Sequence, residues 1–399
     1  MAGDGRGEAP RGNMVLRPSR RAAIAPFRAM EVLKAANARE RAGHSILHLE
    51  TGQPGTGAPA PVRAEAARLA QQATLGYTDA LGIPALRAAI AGHYARWYGI
   101  DLAPERVVVT TGSSGAFLLA FLALFDRDAR IGLAVPGYPA YRNILAALDM
   151  VEAALPVDGS SRFQPTPAHL ARVAGRLDGL LVANPANPTG SMLGAADLQA
   201  LAEACAARGT ALIVDEIYHG ICYAWPAPTI LSLRDDAVVV NSFSKYFGMT
   251  GWRLGWMVVP ENLCDTVERL AQNLFISPPA IAQYAALAAF EAYDELDANV
   301  ARYARNRQIL LDALPGLGMG RFAPPDGAFY LYVDVSDLTA DSASFGRQML
   351  EETGIAATPG IDFDPEAGHR FLRFSFAGTG EDIAEAVVRL RRWLPDRRL

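Results

Sequence analysis

The stretch RVVVTTGSSGAFLLAF, residues 106 to 121, sets the reading of the fold. A short β-branched run gives way to a Gly/Ser turn and then to an apolar helical pattern, the opening of a strand–turn–helix unit. The succession recurs to about residue 260, with RIGLAVPGY, GLLVANPANP, TALIVDEIY, AVVVNSFSK and RLGWMVVP as the strands. Between them, ADLQALAEACAARG places Leu198, Leu201, Ala202 and Cys205 on one helical face, and Gly209 follows as a C-terminal stop. Alternation of this kind predicts an α/β fold whose mostly parallel sheet is covered by helices on both faces.

Residues 280 to 314 read as one long, Ala-rich helix. Beyond it, GAFYLYVDVS, GIAATP and HRFLRFSFAG read as strands, and SASFGRQMLEETG and GEDIAEAVVRLRRWL as helices, which together make a smaller α+β unit. The expected organisation is a disordered tail over 1–15, an N-terminal segment over 16–50 that packs with the small domain, a large domain over 51–300 and a small domain over 301–399. No Gly/Ser linker separates the two domains, so a helix is expected to join them.

At 399 residues the chain can bury a large core. A net charge of -5 and a pI near 5.8 give no electrostatic case for nucleic acid or an acidic membrane and favour small-molecule chemistry. The three cysteines, Cys205, Cys222 and Cys264, lack metal-ligand spacing and read as reduced, which suits the cytoplasm; no metal site is expected. No apolar run approaches the roughly 20 residues that span a bilayer. The Gly-, Pro- and Arg-rich N-terminus lacks a secretory pattern and reads as a tail, with organelle targeting as the alternative.

Of the 37 Lys and Arg residues only two are lysines, Lys34 and Lys245. Arg stays protonated in every protein setting, whereas a desolvated Lys amine can lose its proton and attack a carbonyl. Lys245, between Ser244 and Tyr246, is therefore either a nucleophile or a surface lysine left over in an Arg-biased chain. Other polar residues gather at the carboxyl ends of the strands, where ligands bind in open α/β sheets: Gly112, Ser113, Ser114, Tyr138, Asn184, Asn187, Asp215, Tyr218, Ser242 and Ser244.

The turn over Ser113 and Ser114 aims the first amides of a helix above the sheet, as a phosphate cradle or as an ordinary N-cap. A dinucleotide site is disfavoured, because G-x-G-x-x-G is absent. Asp215 ends the apolar strand ALIV and calls for a positive partner; a protonated pyridine nitrogen would serve, the alternatives being a helix N-cap and a metal ligand, and the latter lacks further carboxylates or paired histidines nearby. His219 reads as structural. Arg253, in GWRLG, can join Ser242 in a phosphate clamp. Arg373, inside an apolar strand, holds either a ligand carboxylate or a structural ion pair.

These residues assemble into a pattern that resembles the class I/II aminotransferases of the fold-type I pyridoxal-phosphate enzymes, over roughly residues 45 to 390. The resemblance rests on YTDALGIPALRAAIA, TTGSSGAF, PGYPAY, NPANPTG, DEIYHG, SFSKYFGMTGWRLG, PPDGAFYLY and RFLRFSFAG, in the family's order. It implies a transaminase with pyridoxal 5'-phosphate as cofactor and Lys245 as the Schiff-base lysine. Asp215 would face the pyridine nitrogen, Tyr218 and Asn187 the phenolic oxygen, and Tyr138 the ring. Ser113, Ser114, Ser242 and Arg253 would hold the phosphate, joined by Tyr77 from the second subunit of a homodimer whose active sites are shared across the interface. Arg373, Asn187 and the backbone at Gly52 would grip the substrate α-carboxylate.

By the same resemblance an amino acid and a 2-oxo acid exchange an amino group by ping-pong kinetics. The sequence departs from the commoner pattern at QPGTGAP after Gly52 and at GIDFDPEAG, where Asp364 stands for a frequent Gly, and both stretches fall where the family lines its substrate pocket. Ser114 occupies a position that some acidic-substrate relatives give to Lys. A neutral or aromatic donor is expected. The competing readings are a C–S β-lyase using the same lysine and cofactor, and an aminotransferase-like regulatory protein, which would need a DNA-binding module ahead of the family region.

Overall fold

Strands made almost wholly of Val, Ile, Leu and Ala need cover on both faces, and in the computed structural model of this chain they receive it. The structure describes residues 16–72 and 74–395; the expected tail over 1–15 lies outside the described residues. Helix α1 (Arg28–Arg41), strand β1 (Leu47–His48), α2 (Ala60–Gln72) and α3 (Pro84–Tyr98) come first. The main sheet then takes β2 (Val107–Thr110), β3 (Arg130–Val135), β4 (Val151–Pro156), β5 (Gly179–Ala183), β6 (Ala211–Asp215), β7 (Val238–Ser242) and β8 (Gly255–Val258). Helices α4 (Gly112–Leu124), α5 (Pro139–Ala147), α6 (Pro167–Arg172), α7 (Ala195–Arg208) and α8 (Cys264–Leu274) connect or follow these strands.

Strand order is β2-β8-β7-β6-β5-β3-β4. All pairings are parallel except those of β8, which runs antiparallel to both β7 and β2. Every residue of β2, β7 and β8 is buried, whereas β4 at the edge alternates buried and exposed positions, as a strand with one solvated face should. Each buried Val or Leu contributes about 1.5–3 kcal/mol relative to exposure. On α7 the buried face is Leu198, Leu201, Ala202 and Cys205, and Gly209 closes the helix at φ 65°, the stop read from the sequence.

The long helix expected over 280–314 is divided. Helix α9 (Ala280–Ala286) tightens into a 3-10 turn at Leu287–Glu291, and α10 (Tyr293–Ala313) begins after Ala292. Asp294 and Glu295 in the first turn of α10 favour a fresh N-terminus there, and the Glu295 carboxylate accepts from the Ala60 amide at 3.0 Å, at the start of α2. The strand GIAATP is divided as well. After β9 (Tyr330–Asp334) and α11 (Ser342–Thr353), β10 (Ile355–Ala356) pairs parallel with β1, while β11 (Thr358–Pro359) joins β12 (Phe371–Ser375) and β9 in an antiparallel sheet of order β11-β12-β9. Helix α12 (Gly380–Trp393) follows.

Helix α1 has Phe27 at its N-cap, a residue with no side-chain acceptor to offer. A carboxylate from far along the chain serves instead: Asp362 accepts from the Arg28 amide at 3.0 Å and the Ala29 amide at 3.1 Å. Arg142 on α5 donates to the Asp362 and Phe363 carbonyls, so the start of α1, α5 and the 360–363 turn meet at one point. Asp362→Ala should cost about 1 kcal/mol. Its amide exchange should rise over residues 28–31 while exchange in the main sheet is unchanged; unaltered protection at 28–31 would remove Asp362 as the cap.

Candidate active site

Parallel strands deliver their carboxyl ends to one edge of the sheet, and the polar residues found there come together. Lys245 follows β7. Its Nζ donates to the Gly52 carbonyl at 2.5 Å and lies 5.7 Å from the centre of the Tyr218 ring. Burial pushes the Lys245 amine down to about 8, and the positive charge of Arg373 acts in the same direction. An ammonium in this position has lost most of its water, so the neutral amine is within reach at physiological pH.

Asp215, 3 % exposed at the end of β6, has no cationic partner within hydrogen-bond distance among the described residues. Tyr141 donates to one carboxylate oxygen and the Ile217 amide to the other, the latter at 3.0 Å. Burial dominates, raising the carboxyl to about 6 against these bonds and the charge of Lys245. Such a group is poised to accept a cation or a protonated ring nitrogen.

Arg373 on β12 is 2 % exposed. It donates to Asn187 Oδ1 at 2.8 Å and to the Glu50 carbonyl at 2.5 Å, and its Nε has no partner among the described residues. The guanidinium lies 4.3 Å from the centre of the Tyr330 ring and 4.8 Å from that of Phe363. Among the described residues no carboxylate stands within ion-pair distance of it, so the structural ion pair allowed by the sequence is not what holds Arg373. Tyr218 and Tyr330 share a hydrogen bond of 2.7 Å. At Gly52 a Cβ would stand 1.7 Å from the Tyr330 hydroxyl; only glycine lets that carbonyl reach Lys245 with Tyr330 in place.

At the start of α4, Thr111 is the N-cap and provides no side-chain acceptor; the N-cap reading of Ser113 and Ser114 therefore does not hold, and the first amides of α4 are left without a side-chain cap. Arg253, in the left-handed region at φ 52°, lays its guanidinium over Gly112, where a Cβ would come within 2.5 Å of Nη2. Gly255 brings β8 equally close beneath, since its own Cβ would meet the Ser113 nitrogen at 2.8 Å. Ser242 is turned inward, donating to the Leu254 carbonyl at 3.1 Å and accepting from the Ser244 amide at 3.0 Å.

Tyr138 borders the site, in edge contact with Phe27 at 5.7 Å and Tyr141 at 5.2 Å. Tyr77 stands apart, 85 % exposed. Asn184 is absorbed by its own loop, bonding the Leu193 amide at 2.9 Å. His219 pairs with the Tyr98 hydroxyl at 2.6 Å and is pushed down to about 3 by burial, a neutral structural histidine as its sequence context suggested. Sequence reading missed Tyr141 and Tyr330. The signal for Tyr141 was its place one helical turn after Tyr138 in PGYPAY, and for Tyr330 its even spacing from Tyr332 on a strand paired with that of Arg373. Among the described residues there is no cluster suited to a metal ion and no helix long and apolar enough to cross a membrane.

An amine of lowered basicity, a buried carboxylate awaiting a cation, uncapped helix amides beside an arginine, and a second arginine with uncharged partners define an enzyme of amino-group transfer. The chain belongs to the class I and II aminotransferase family, whose profile matches residues 44–390. Over 386 residues it is 50 % identical to the valine–pyruvate aminotransferase of Mycobacterium tuberculosis, covering 96 % of this chain and all of that one. Among solved structures it is similar to an aminotransferase from M. tuberculosis, with TM-score 0.94, 50 % identity and coverage of 96 % and 100 %. It is also similar to the Thermus thermophilus aspartate aminotransferase with maleate, with TM-score 0.89, 30 % identity and coverage of 95 % and 100 %. The protein is thus an aminotransferase, of a family whose members generally use pyridoxal phosphate.

The raised carboxyl of Asp215 has a consequence for protein stripped of small molecules. Its ordinary value of 3.8 rises to about 6 on folding, so the stability tied to its proton is full below pH 4 and is lost as the pH rises through 6. The shift amounts to about 3 kcal/mol. Stripped wild type should lose this stability between pH 4 and pH 7, and Asp215→Asn should not; denaturant melts showing a constant difference between the two would contradict the assignment.

Proposed function

We propose that the chain uses pyridoxal 5'-phosphate to move an amino group from a neutral L-amino acid with an apolar side chain to a small 2-oxo acid. The observation that carries this reading is the shared footing of Lys245 and Arg373 on one short segment, Lys245 on the Gly52 carbonyl and Arg373 on the Glu50 carbonyl. An amine able to lose its proton and a fork able to take a carboxylate thereby face the same small space.

The residues present fit the cofactor. The amides of Gly112, Ser113 and Ser114 with Arg253 suit a phosphate, and Ser242 joins them once its hydroxyl leaves the Leu254 carbonyl. Asp215 suits a protonated ring nitrogen, Tyr218 and Asn187 the ring's phenolic oxygen, Tyr138 its face and Lys245 its aldehyde. When bound, the cofactor supplies an aldehyde for amine exchange and a ring that withdraws electrons from the substrate Cα. Lys245 Nζ takes the proton from the substrate Cα and returns it during transfer. Asp215 holds the proton of the ring nitrogen. Arg373, with Asn187 and the backbone at Gly52, fixes the α-carboxylate so that the Cα proton points at Lys245. One site serves both half-reactions, which makes the kinetics ping-pong.

For the side chain, the groups around Arg373 are the rings of Tyr330 and Phe363, and Arg142 nearby is committed to the carbonyls of Asp362 and Phe363. Neither ring offers a cation to a second carboxylate. The name of the half-identical M. tuberculosis relative, a valine–pyruvate aminotransferase, supports the same class. A homodimer completes the site: Leu75, Tyr77, Leu274 and Ile276 are exposed, the Thr78 amide donates to Ser277 Oγ at 3.3 Å and so sets the two stretches side by side, and a second copy brings its Tyr77 to the phosphate. A cytoplasmic location accords with the composition.

Arg373→Lys tests the carboxylate clamp. Wild type should use valine with pyruvate and reject isobutylamine, which lacks the carboxylate; the variant should lose about tenfold to a hundredfold in kcat/KM for valine with its thermal stability kept. Unchanged preference for valine over isobutylamine, with lowered stability, would make Arg373 structural. Aspartate outperforming valine as donor would overturn the substrate class.

A further inference from the structure

Asp364 does not face Arg373. Phe363 takes that place, and Asp364 lines a separate cavity of about 430 Å³ between the ends of β3 and β4 and the small antiparallel sheet. Its apolar walls are Pro136, Val157, Phe163, Phe322, Tyr332 and Phe371, and it opens to solvent past exposed Gly159 and Gly320. Tyr332 and Phe371 stack at 4.5 Å, and Phe163 meets Tyr332 edge-on at 6.5 Å.

Two polar groups in this cavity are unaccounted for. The Tyr332 hydroxyl is fully buried and has no hydrogen-bond partner among the described residues, an arrangement that costs about 1–3 kcal/mol unless something fills it. Asp364 is 8 % exposed; one of its oxygens accepts from the Glu366 and Ala367 amides, each at 2.9 Å, and among the described residues no cation lies within ion-pair distance. The other charges lining the cavity are spoken for. Asp334 pairs with Arg370 at 2.7 Å and Arg321 at 3.6 Å, Arg321 forks onto Asp337 at 2.8 Å, and Asp158 holds its own turn through the Ser160 amide at 2.8 Å. Burial, with Asp364 and Asp334 nearby, pushes the Tyr332 phenol well up, so it remains a neutral hydroxyl.

An unpaired carboxylate, an unpartnered hydroxyl and aromatic walls are together complementary to an organic cation. We propose that this cavity is a second ligand site, distinct from the catalytic one, for a protonated amine carrying an apolar or aromatic body. The ammonium N–H groups donate to Asp364 and to the Tyr332 oxygen, and the body lies against Phe163, Phe322 and Phe371. The walls come from the ends of main-sheet strands and from the small sheet, so an occupant touches both.

The test is titration calorimetry on the holoenzyme with N-methylphenethylammonium, a secondary amine that keeps two N–H groups and cannot form a neutral imine with an aldehyde. It should bind saturably, about tenfold more weakly in Asp364→Asn and about threefold more weakly in Tyr332→Phe. Asn preserves the two turn bonds and should melt like wild type, and Phe removes only the unpartnered oxygen and should melt no lower than wild type. Arg373→Lys should bind the probe as wild type does, and the anion 3-phenylpropionate should show no heat that depends on Asp364. Absence of binding up to about 10 mM, equal affinity in Asp364→Asn, or loss of binding in Arg373→Lys would each overturn the proposal.

Discussion

Charged groups drawn largely out of water, with no opposite charge at ion-pair distance among the described residues, are the constraint around which this fold is organised. Asp215 and Arg373 are buried and Lys245 is half-buried, and among the described residues none of them has an ion-pair partner. Isolated burial of this kind is costly. The chain answers with backbone: carbonyls at Glu50 and Gly52 for the two cations, and the Ile217 amide and the Tyr141 hydroxyl for the carboxylate. The remaining imbalance appears as a basicity lowered at Lys245 and raised at Asp215.

The sheet makes that arrangement available. Parallel β5, β6 and β7 bring Asn187, Asp215 and Lys245 to one edge, and the reversal at β8 carries Arg253 back to the start of α4. Close approach then depends on three glycines. Gly52 makes room for Tyr330, Gly112 for Arg253, and Gly255 for the first amides of α4. A methyl group at any of them would meet an atom within 3 Å, so the site is specified by what these positions omit as much as by the side chains around it.

Most of this was legible in the sequence, for reasons that can be named. Two lysines among 37 basic residues made Lys245 stand out, and polar residues at the ends of apolar strands marked the edge of the sheet. The buried face of α7 and its stop at Gly209 followed from helical spacing. What escaped depends on contacts distant in sequence. Asp362 caps α1 across more than 300 residues, and no local pattern announces it. Tyr141 and Tyr330 look like core aromatics until their hydroxyls are seen to meet Asp215 and Tyr218. The break at 287–291 lies in an Ala-rich stretch whose composition favours an unbroken helix, and tertiary contacts such as Glu295 with Ala60 prevail over it. Asp364 was drawn to the substrate pocket by resemblance, and a turn of one residue places it in another cavity.

The central claim, that Lys245 is the residue to which the cofactor is attached, is open to one direct measurement. Holoenzyme reduced with borohydride, digested and analysed by mass spectrometry should carry the pyridoxyl mass on the peptide containing Lys245, with Lys34, exposed on α1, unmodified. The chain has no third lysine to confuse the result. Label on Lys34, or no covalent label at all in protein that holds the cofactor, would contradict the account.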